Sequence, residues 1–568
     1  MKVLHCKKLP IITCILVATL SPQRTNAFNT LSPHSKSCIS STASSSLSSP
    51  LTSCVNKLHI RGGGGSSADR STLLTSSISS TSTPKENDGI IFQQAATVGM
   101  ITAAMGYIYG RILDQTVRSI WNRVPQFLTQ KGFIITPSYI TYAMALGGLF
   151  MGLLSKICKP TYIASDFVSA LSKTKEDGAA LLPNLIPALP NLLILSLVTS
   201  TFGFSVGPEA PMVCAGGLVG MALARRWYND DDTSSSSRVG EVLTYAGAAG
   251  SLTAFMGIPL AGPIFALELT RASAGMSPAA YQALGPAVVA SVAALVLLRG
   301  IIAPASTMGG HFTYGLVQTL SGRAAIVTAL ACGAGGAVIG TVFHKAVHLL
   351  KDIMWKQKTQ VEGSSSSKTT GGMLSILLSR DVIVKTLIGI TVGIISRFYP
   401  ATMFWGEGSL QCVVDGHQTA FASTKHGLSA ALTAAANVNP SVPFQSAWAA
   451  AQVGLVKLLS IALACAGKFP GGIIFPLFFA AAPLAHSAIS LLSTIIPASV
   501  SPVAVMSLMA ATQASVTRTP LSTVFMLALS SSSATEISKM LPSVILSSYV
   551  GVWFSWYLSK ESYYDYSK

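Results

Sequence analysis

Two short stretches of the chain hold residue types from which an anion site can be built. They are GPEAP at 207–211 and GGIIFP at 471–476, both in apolar surroundings. A helix that begins inside a membrane presents unpaired backbone N–H groups and about half a positive charge at its first turn. An anion fits that end without a buried cation beside it. Gly207 suits a tight turn, and Pro208 suits a first helical turn because its missing N–H is not needed there, so the N–H groups of Glu209 and Ala210 are left to face a pore. Gly471 and Gly472 stand in the same relation to the N–H groups of Ile473 and Ile474, and the N–H groups of Gly472, Ile473 and Ile474 are expected to line the anion site. Neither stretch contains Lys or Arg. That favours conduction, because a fixed cation would hold an anion too tightly to release it. Glu209 is the one ionisable residue in the two stretches, and an ionisable residue deep in apolar sequence is a functional candidate. As a carboxylate it can occupy an anion site and block it; protonated, it can swing away. The plainer reading is a carboxylate that only caps a helix N-terminus.

Other chemistries find little support. Nine cysteines are spread singly with no CxxC, which indicates neither a zinc site nor a disulfide framework. His344 and His348 lie four apart on an expected helix and could share a metal, but no third ligand stands near them. No Ser-His-Asp, Cys-His, phosphate-loop or metal-cluster pattern is visible, so neither an enzyme nor a bound cofactor is expected. The net charge of +17 comes from Lys and Arg scattered over short loops, such as Arg225-Arg226 and the stretch from Lys351 to Lys368. These read as determinants of membrane topology rather than as a nucleic-acid groove.

The elements that hold the two stretches must lie in a bilayer. Charged residues are only 10% of the 568, and the mean hydropathy is +0.54. Charge-free runs at 132–155, 178–208, 272–298, 427–456, 469–517 and 540–559 reach or exceed the roughly 20 residues needed to cross a membrane. Helical spans are expected near 91–113, 132–157, 181–203, 209–224, 242–256, 259–270 and 279–303. A second set is expected near 323–350, 381–398, 443–465, 473–494, 500–514, 520–530 and 541–558. The polar insert 351–380 separates the two sets. AFMGIPLAGPIFALEL at 254–269 recurs as ASVTRTPLSTVFMLAL at 514–529, with the Pro-Leu pairs 261 positions apart, and GPEAP recurs as GGIIFP about 264 apart. The reading is an all-α polytopic membrane protein of two related halves, 91–305 and 306–560, with broken helices of both meeting at the transported ligand.

The first 90 residues read as an address. Lys2, Lys7 and Lys8 precede the short apolar stretch 9–20, which fits a signal peptide ending near Ala27. Residues 28–90 are Ser- and Thr-rich and poor in acids, like a transit peptide. The junction Asn26-Ala27-Phe28 resembles the bipartite plastid presequence of diatoms and related algae, which implies a thylakoid or envelope membrane. A disordered tail behind an ordinary secretory signal, with an endomembrane destination, is the alternative.

Four motifs resemble those of the CLC chloride channel and antiporter family. GFSVGPEAPMV at 203–213 is similar to G-x-x-x-G-R-E-G-P, and KLLSIALACAGKFPGGIIFP at 457–476 to K-L-x-x-T-x-x-T-x-G-x-G-x-P-G-G-I-F-x-P. The stretch 246–269 is similar to A-A-G-x-A-A-A-F-x-A-P-L-A-G-x-x-F-x-x-E, and MFWGEGSLQ at 403–411 to the segment before the second pore region. The resemblance spans 91–558. It implies two inverted repeats around a central anion pathway, chloride or a related small anion as the transported ligand, Glu209 as the gating glutamate, and a homodimer within membrane lipid. It leaves room for only a short tail, 561–568, and no CBS domains. Three positions depart from the family pattern. The first pore motif falls near 161–165, where Tyr162 and Ser165 are the candidates for the selectivity serine, and Ile537 stands where a pore tyrosine is expected. The proton-coupling glutamate that follows the family's match to Glu268 is Leu269 here. The apolar residue points to passive conduction, with proton-coupled or other secondary exchange as the alternative.

Overall fold

A computed structural model describes residues 86–159, 167–168, 171, 185–228, 235–274, 278–302, 312–314, 320–355, 379–418, 442–494, 497, 500–531, 534–560 and 563. The first-half helices are α1 (Glu86–Arg118), α2 (Val124–Gln130), α3 (Ser138–Ile157), α4 (Leu189–Thr201), α5 (Glu209–Trp227), α6 (Ser235–Met256), α7 (Ala261–Ala274) and α8 (Pro278–Val296). The second half holds α9 (Gly322–Trp355), α10 (Arg380–Phe398), the short α11 (Leu410–Val414), α12 (Ala447–Ala466), α13 (Ile474–Leu491), α14 (Ser501–Thr517), α15 (Pro520–Ser530) and α16 (Ala534–Leu558). A two-residue antiparallel pairing of His417–Gln418 with Val442–Pro443 is the sole sheet among the described residues. Helix α1 starts at Glu86, ahead of the span expected from 91, and runs through a π-turn at Ser119–Arg123 into α2. The expected signal segment, 1–27, and the expected transit segment, 28–90, lie outside the described residues as far as residue 85, while 86–90 open α1; Tyr162 and Ser165 also lie outside the described residues.

Seven of the described helices are long and apolar enough to cross a membrane. Their outward faces carry large apolar side chains such as Ile108, Tyr142, Val296, Val342 and Trp553. Lipid, not water, is the solvent that such faces fit. Pro286, Pro483 and Pro542 sit inside helices, which membrane helices tolerate when neighbours satisfy the freed backbone groups. Helix α14 is buried on every side, as expected of a helix apolar all round at the centre of a bundle.

Packing repeats from one half to the other. In the first half α1, α6 and α8 pack on one another, with α5 and α7 against α6. In the second half α9, α14 and α16 form the matching trio, with α13 and α15 against α14. Contacts that join the halves include α3 with α10, α7 with α15, and a backbone bridge between Gly207 and Gly472. The first is antiparallel, since Thr141 bonds the Gly393 carbonyl at one end while Lys156 pairs with Asp381 at the other. Small residues let these helices touch backbone to backbone, as membrane helices do when no water drives them together.

Candidate anion site

The site grows from two chain reversals that copy each other atom by atom. In the first, the N–H groups of Phe202, Gly203 and Phe204 bond the carbonyls of Val198, Ser200 and Thr199 at 3.1, 3.3 and 3.4 Å. In the second, those of Gly467, Lys468 and Phe469 bond Leu463, Cys465 and Ala464 at 2.9, 3.1 and 3.1 Å. Trp121 Nε1 donates to Thr201 O and Trp355 Nε1 to Ala466 O, each at 2.8 Å. Phe204 and Phe469 lie ring to ring, with centroids 4.3 Å apart. Every pair of chain positions in the two reversals is 265 apart. The glycine partner of Gly207 is therefore Gly472, not the Gly471 that an offset of 264 gave.

Beyond the aromatic pair the two strands meet. The Gly207 N–H donates to Gly472 O at 2.9 Å and the Gly472 N–H to Gly207 O at 2.5 Å. This corrects two expectations. The Gly472 amide is spent on its partner and is not a free anion donor. Gly207 serves close approach rather than a positive-φ turn, because a Cβ there would overlap the Glu209 carboxylate. The left-handed position of the first reversal is Gly203, at φ +81°. Pro208 is the N-cap and the helix proper starts at Glu209.

Helical bonding begins at Met212 N–H to Pro208 O in α5 and at Leu477 N–H to Ile473 O in α13. The amides of Glu209, Ala210, Ile473 and Ile474 belong to first turns that lack intrahelical acceptors. Pro211 and Pro476, again 265 apart, remove one donor from each turn. Glu209 is fully buried, and neither carboxylate oxygen has a hydrogen-bond partner. Added Cβ atoms on Gly207 and on Gly472 would both strike this carboxylate, so it is lodged between the paired glycines. Ile473 and Ile474 are buried beside it and Ala210 is half-buried. The Tyr109 hydroxyl, 2.9 Å from Ser196 Oγ, and the Glu407 carboxylate lie within electrostatic reach of Glu209.

Other expected residues lie elsewhere. Leu269 is buried in α7. Its neighbour Glu268 accepts from the N–H groups of Leu521 and Ser522 at 3.0 and 2.8 Å, which caps the N-terminus of α15. Ile537 is half-buried in the first turn of α16. Tyr162 and Ser165 lie outside the described residues. His344 and His348 share α9 with Nε2 atoms 3.0 Å apart, and no group of three metal-ligating side chains occurs among the described residues.

Lys457 went unremarked, although it opens the second motif. It is fully buried, and its Nζ donates to Thr402 O at 2.9 Å and Phe404 O at 2.6 Å and sits 5.0 Å from the Phe479 ring centre. It ties the 402–406 loop to α12 and α13. The Phe404 N–H returns to Gly203 O at 2.9 Å, so the loop also holds the first reversal. Lys468 was missed as well. It adopts φ +57° where the motif carries glycine.

Two broken helices from related halves thus meet in an apolar, multi-span membrane bundle at a buried carboxylate without a hydrogen-bond partner. The profile of the voltage gated chloride channel family matches residues 147–552, and the chain belongs to that family. Solved structures share the fold. A slow cyanobacterial Cl-/H+ antiporter is similar at TM-score 0.61 and 16% identity, over 84% of this chain and 96% of that one. A CLC-type fluoride/proton antiporter gives 0.55 and 16%, over 83% and 97%. A eukaryotic CLC transporter gives 0.58 and 15%, over 84% and 73%. No curated protein matches the sequence.

Proposed function

We propose that the chain is a passive pathway for chloride, or a related small anion, across a plastid membrane, gated by Glu209. The observation that carries the reading is the Glu209 carboxylate lodged without a hydrogen-bond partner between Gly207 and Gly472. An ionised group there stands where a permeant anion would meet the first-turn amides of both broken helices, so carboxylate and anion compete for one place. Protonation removes the charge that holds it there. Passive conduction is supported by Leu269, which can neither take up nor release a proton, and by the engagement of Glu268 as a helix cap. Proton-coupled exchange is the second reading. It draws on two of the similar solved structures, which are a Cl-/H+ and a fluoride/proton antiporter.

Purified protein in chloride-loaded liposomes separates the two readings when anion efflux and proton uptake are followed together. Efflux without proton uptake is expected, and Glu209→Gln should raise it and remove most of its pH dependence. Uphill proton movement driven by a chloride gradient would move the protein to the exchanger class. Unchanged flux and pH response in Glu209→Gln would remove the gate assignment. The plastid address rests on the Ser- and Thr-rich segment behind Asn26-Ala27-Phe28. Residues 1–90 fused to a fluorescent protein should label plastids in an alga, and endomembrane label would overturn that part. The homodimer carries over from the family resemblance, and mass measurement in detergent checks it.

A further inference from the structure

A second buried group near the crossing shares the condition of the Glu209 carboxylate. Ser200 Oγ, fully buried on α4, has no hydrogen-bond partner, although a helical serine can turn back to its own backbone as Thr199 does to Leu195 O at 2.9 Å. One turn earlier Ser196, also fully buried, holds the Tyr109 hydroxyl of α1 at 2.9 Å. That hydroxyl lies beside Ser200 as well and within electrostatic reach of Glu209. Tyr109, Ser196 and Ser200 thus bring three buried hydroxyls to an unpartnered carboxylate, with hydrogen-bonding capacity to spare.

The second half shows that packing does not require these hydroxyls. Gly99 and Gly106 of α1, and Trp121 beyond it, recur 234 positions on as Gly333, Gly340 and Trp355 of α9, and the same offset puts Phe343 where Tyr109 stands. The offset of 265 that relates the two reversals puts Ile461 and Cys465 where Ser196 and Ser200 stand. Phe343 and Ile461 are buried like their counterparts. The three positions therefore carry hydroxyls in the half that holds Glu209 and none in the half that holds Ile473 and Ile474. A buried hydroxyl left unsatisfied is costly, and it calls for a group that reaches it in another state.

We propose that Tyr109, Ser196 and Ser200 form the berth that receives the Glu209 carboxyl when a permeant anion takes its place between the paired glycines. A protonated carboxyl brings one O–H donor and several acceptor lone pairs, and hydroxyls answer both. In the resting position Ser200 Oγ and both carboxylate oxygens are unbonded; berthing satisfies them together. The three hydroxyls position the gate in its open state and leave the anion to the first-turn amides. Glu407, bonded by Trp405 Nε1 at 3.1 Å, is the other carboxylate within electrostatic reach of Glu209, and the first turns of α5 and α13 carry no further ionisable side chain. The inference rests on the reading of Glu209 as the gate.

Chloride flux in liposomes, followed as a function of pH, tests the berth with Ser200→Ala and Tyr109→Phe, each alone and combined with Glu209→Ala. Ser200→Ala removes a hydroxyl that is unbonded at rest, so the melting temperature should hold or rise. Its half-maximal flux should nonetheless need about five- to ten-fold more protons, the loss of one ordinary hydrogen bond from the open state. Tyr109→Phe installs the residue that the second half already uses, and its profile should move the same way. Glu407 is unchanged in every variant, so its influence cancels from the comparison. Neither substitution should alter the flux of Glu209→Ala, which has no carboxyl to receive. Unshifted profiles in both single variants, or equal losses with and without the Glu209 carboxyl, overturn the berth. A Glu209→Ala protein that keeps the unmutated pH profile would instead overturn the gate reading.

Discussion

The reversal at 198–207 and its copy at 463–472 share one backbone and differ in side chains, and the difference divides the work of the site. The first places Gly203 against Trp121 and follows Gly207 with Glu209, whose carboxylate lies at the crossing. The second places Lys468 against Trp355 and follows Gly472 with Ile473 and Ile474. Equivalent hydrogen bonds therefore present a movable anion from one side and bare amides from the other. A symmetric frame gives two converging helix ends. Asymmetric substitution on it then yields a gate in one half and a binding turn in the other.

The sharpest way to break this frame is at the glycine pair. A Cβ on Gly472 would meet the Glu209 carboxylate and the Ala210 amide together. Gly472→Ala should cut anion flux at least about ten-fold and cost about 1–3 kcal/mol of stability through overpacking. Gly335→Ala is the control, since its nearest neighbour would be Leu508 Cδ1 at a comfortable 3.6 Å. Chloride efflux and thermal unfolding in detergent report both. A Gly472→Ala protein with normal flux would mean that the carboxylate is not lodged between the glycines.

Much of this was legible in the sequence, and what was not has identifiable causes. Apolar runs broken by Gly and Pro are a strong signal in a membrane chain and located the long helices, though the starts expected at 132, 181, 242 and 541 lie six to eight residues from the observed Ser138, Leu189, Ser235 and Ala534. The repeat was visible through two motif pairs, yet its offset at the site was one residue out. Gly471-Gly472 offers two glycines for one partner, and only the reciprocal bond between Gly207 and Gly472 decides between them. The Gly472 amide was misassigned for the same reason: sequence shows which amides open a helix, not which are already bonded. Lys468 escaped notice although it stands where the motif carries glycine, a departure that points to a left-handed backbone position. The tryptophan pair was hidden too, since Trp121 and Trp355 lie far in sequence from the carbonyls they bind.

A smaller break separates Lys457 from its repeat partner, Leu192, 265 positions earlier and also buried. Lys457 satisfies Thr402 O and Phe404 O in a dry interior, whereas Leu192 only fills space. Hydrogen bonds to charged groups contribute about 1.5–3 kcal/mol, and a carbonyl stranded by the loss of its donor costs a similar amount. Thr402 O retains Ser205 Oγ at 2.5 Å, so Phe404 O bears most of the loss. Lys457→Leu should cost about 2–3 kcal/mol, and Leu192→Met, a volume-conserving swap, less than about 1.5 kcal/mol. Equal melting temperatures for the two variants would mean that the lysine does not hold the 402–406 loop.

The finest test lies at the ends of α6 and α14, where the repeats close with the same left-handed residue. Gly257 has φ +73° and Arg518, 261 positions on, has φ +57°; each N–H bonds the carbonyl four residues back at 2.7 Å. The backbone position asks for glycine in both halves, and the second half fills it with arginine. Left-handed backbone costs Arg518 about 1–2 kcal/mol. In return its Nη2 donates to Ser559 O at 2.9 Å, and its guanidinium sits 4.9 Å from the Trp556 ring centre, contacts of about 2–4 kcal/mol together. Arg518→Gly gives up the contacts and the strain at once, so relief of the strain offsets part of the loss and the net cost should be about 1–2 kcal/mol. Arg518→Ala gives up the contacts and keeps the strain, and it should be the less stable of the two by about 1 kcal/mol. The order of the two melting temperatures is the measurement, since it does not depend on either estimate alone. An alanine variant at least as stable as the glycine variant would show that the backbone here is not the shared element that the repeats preserve.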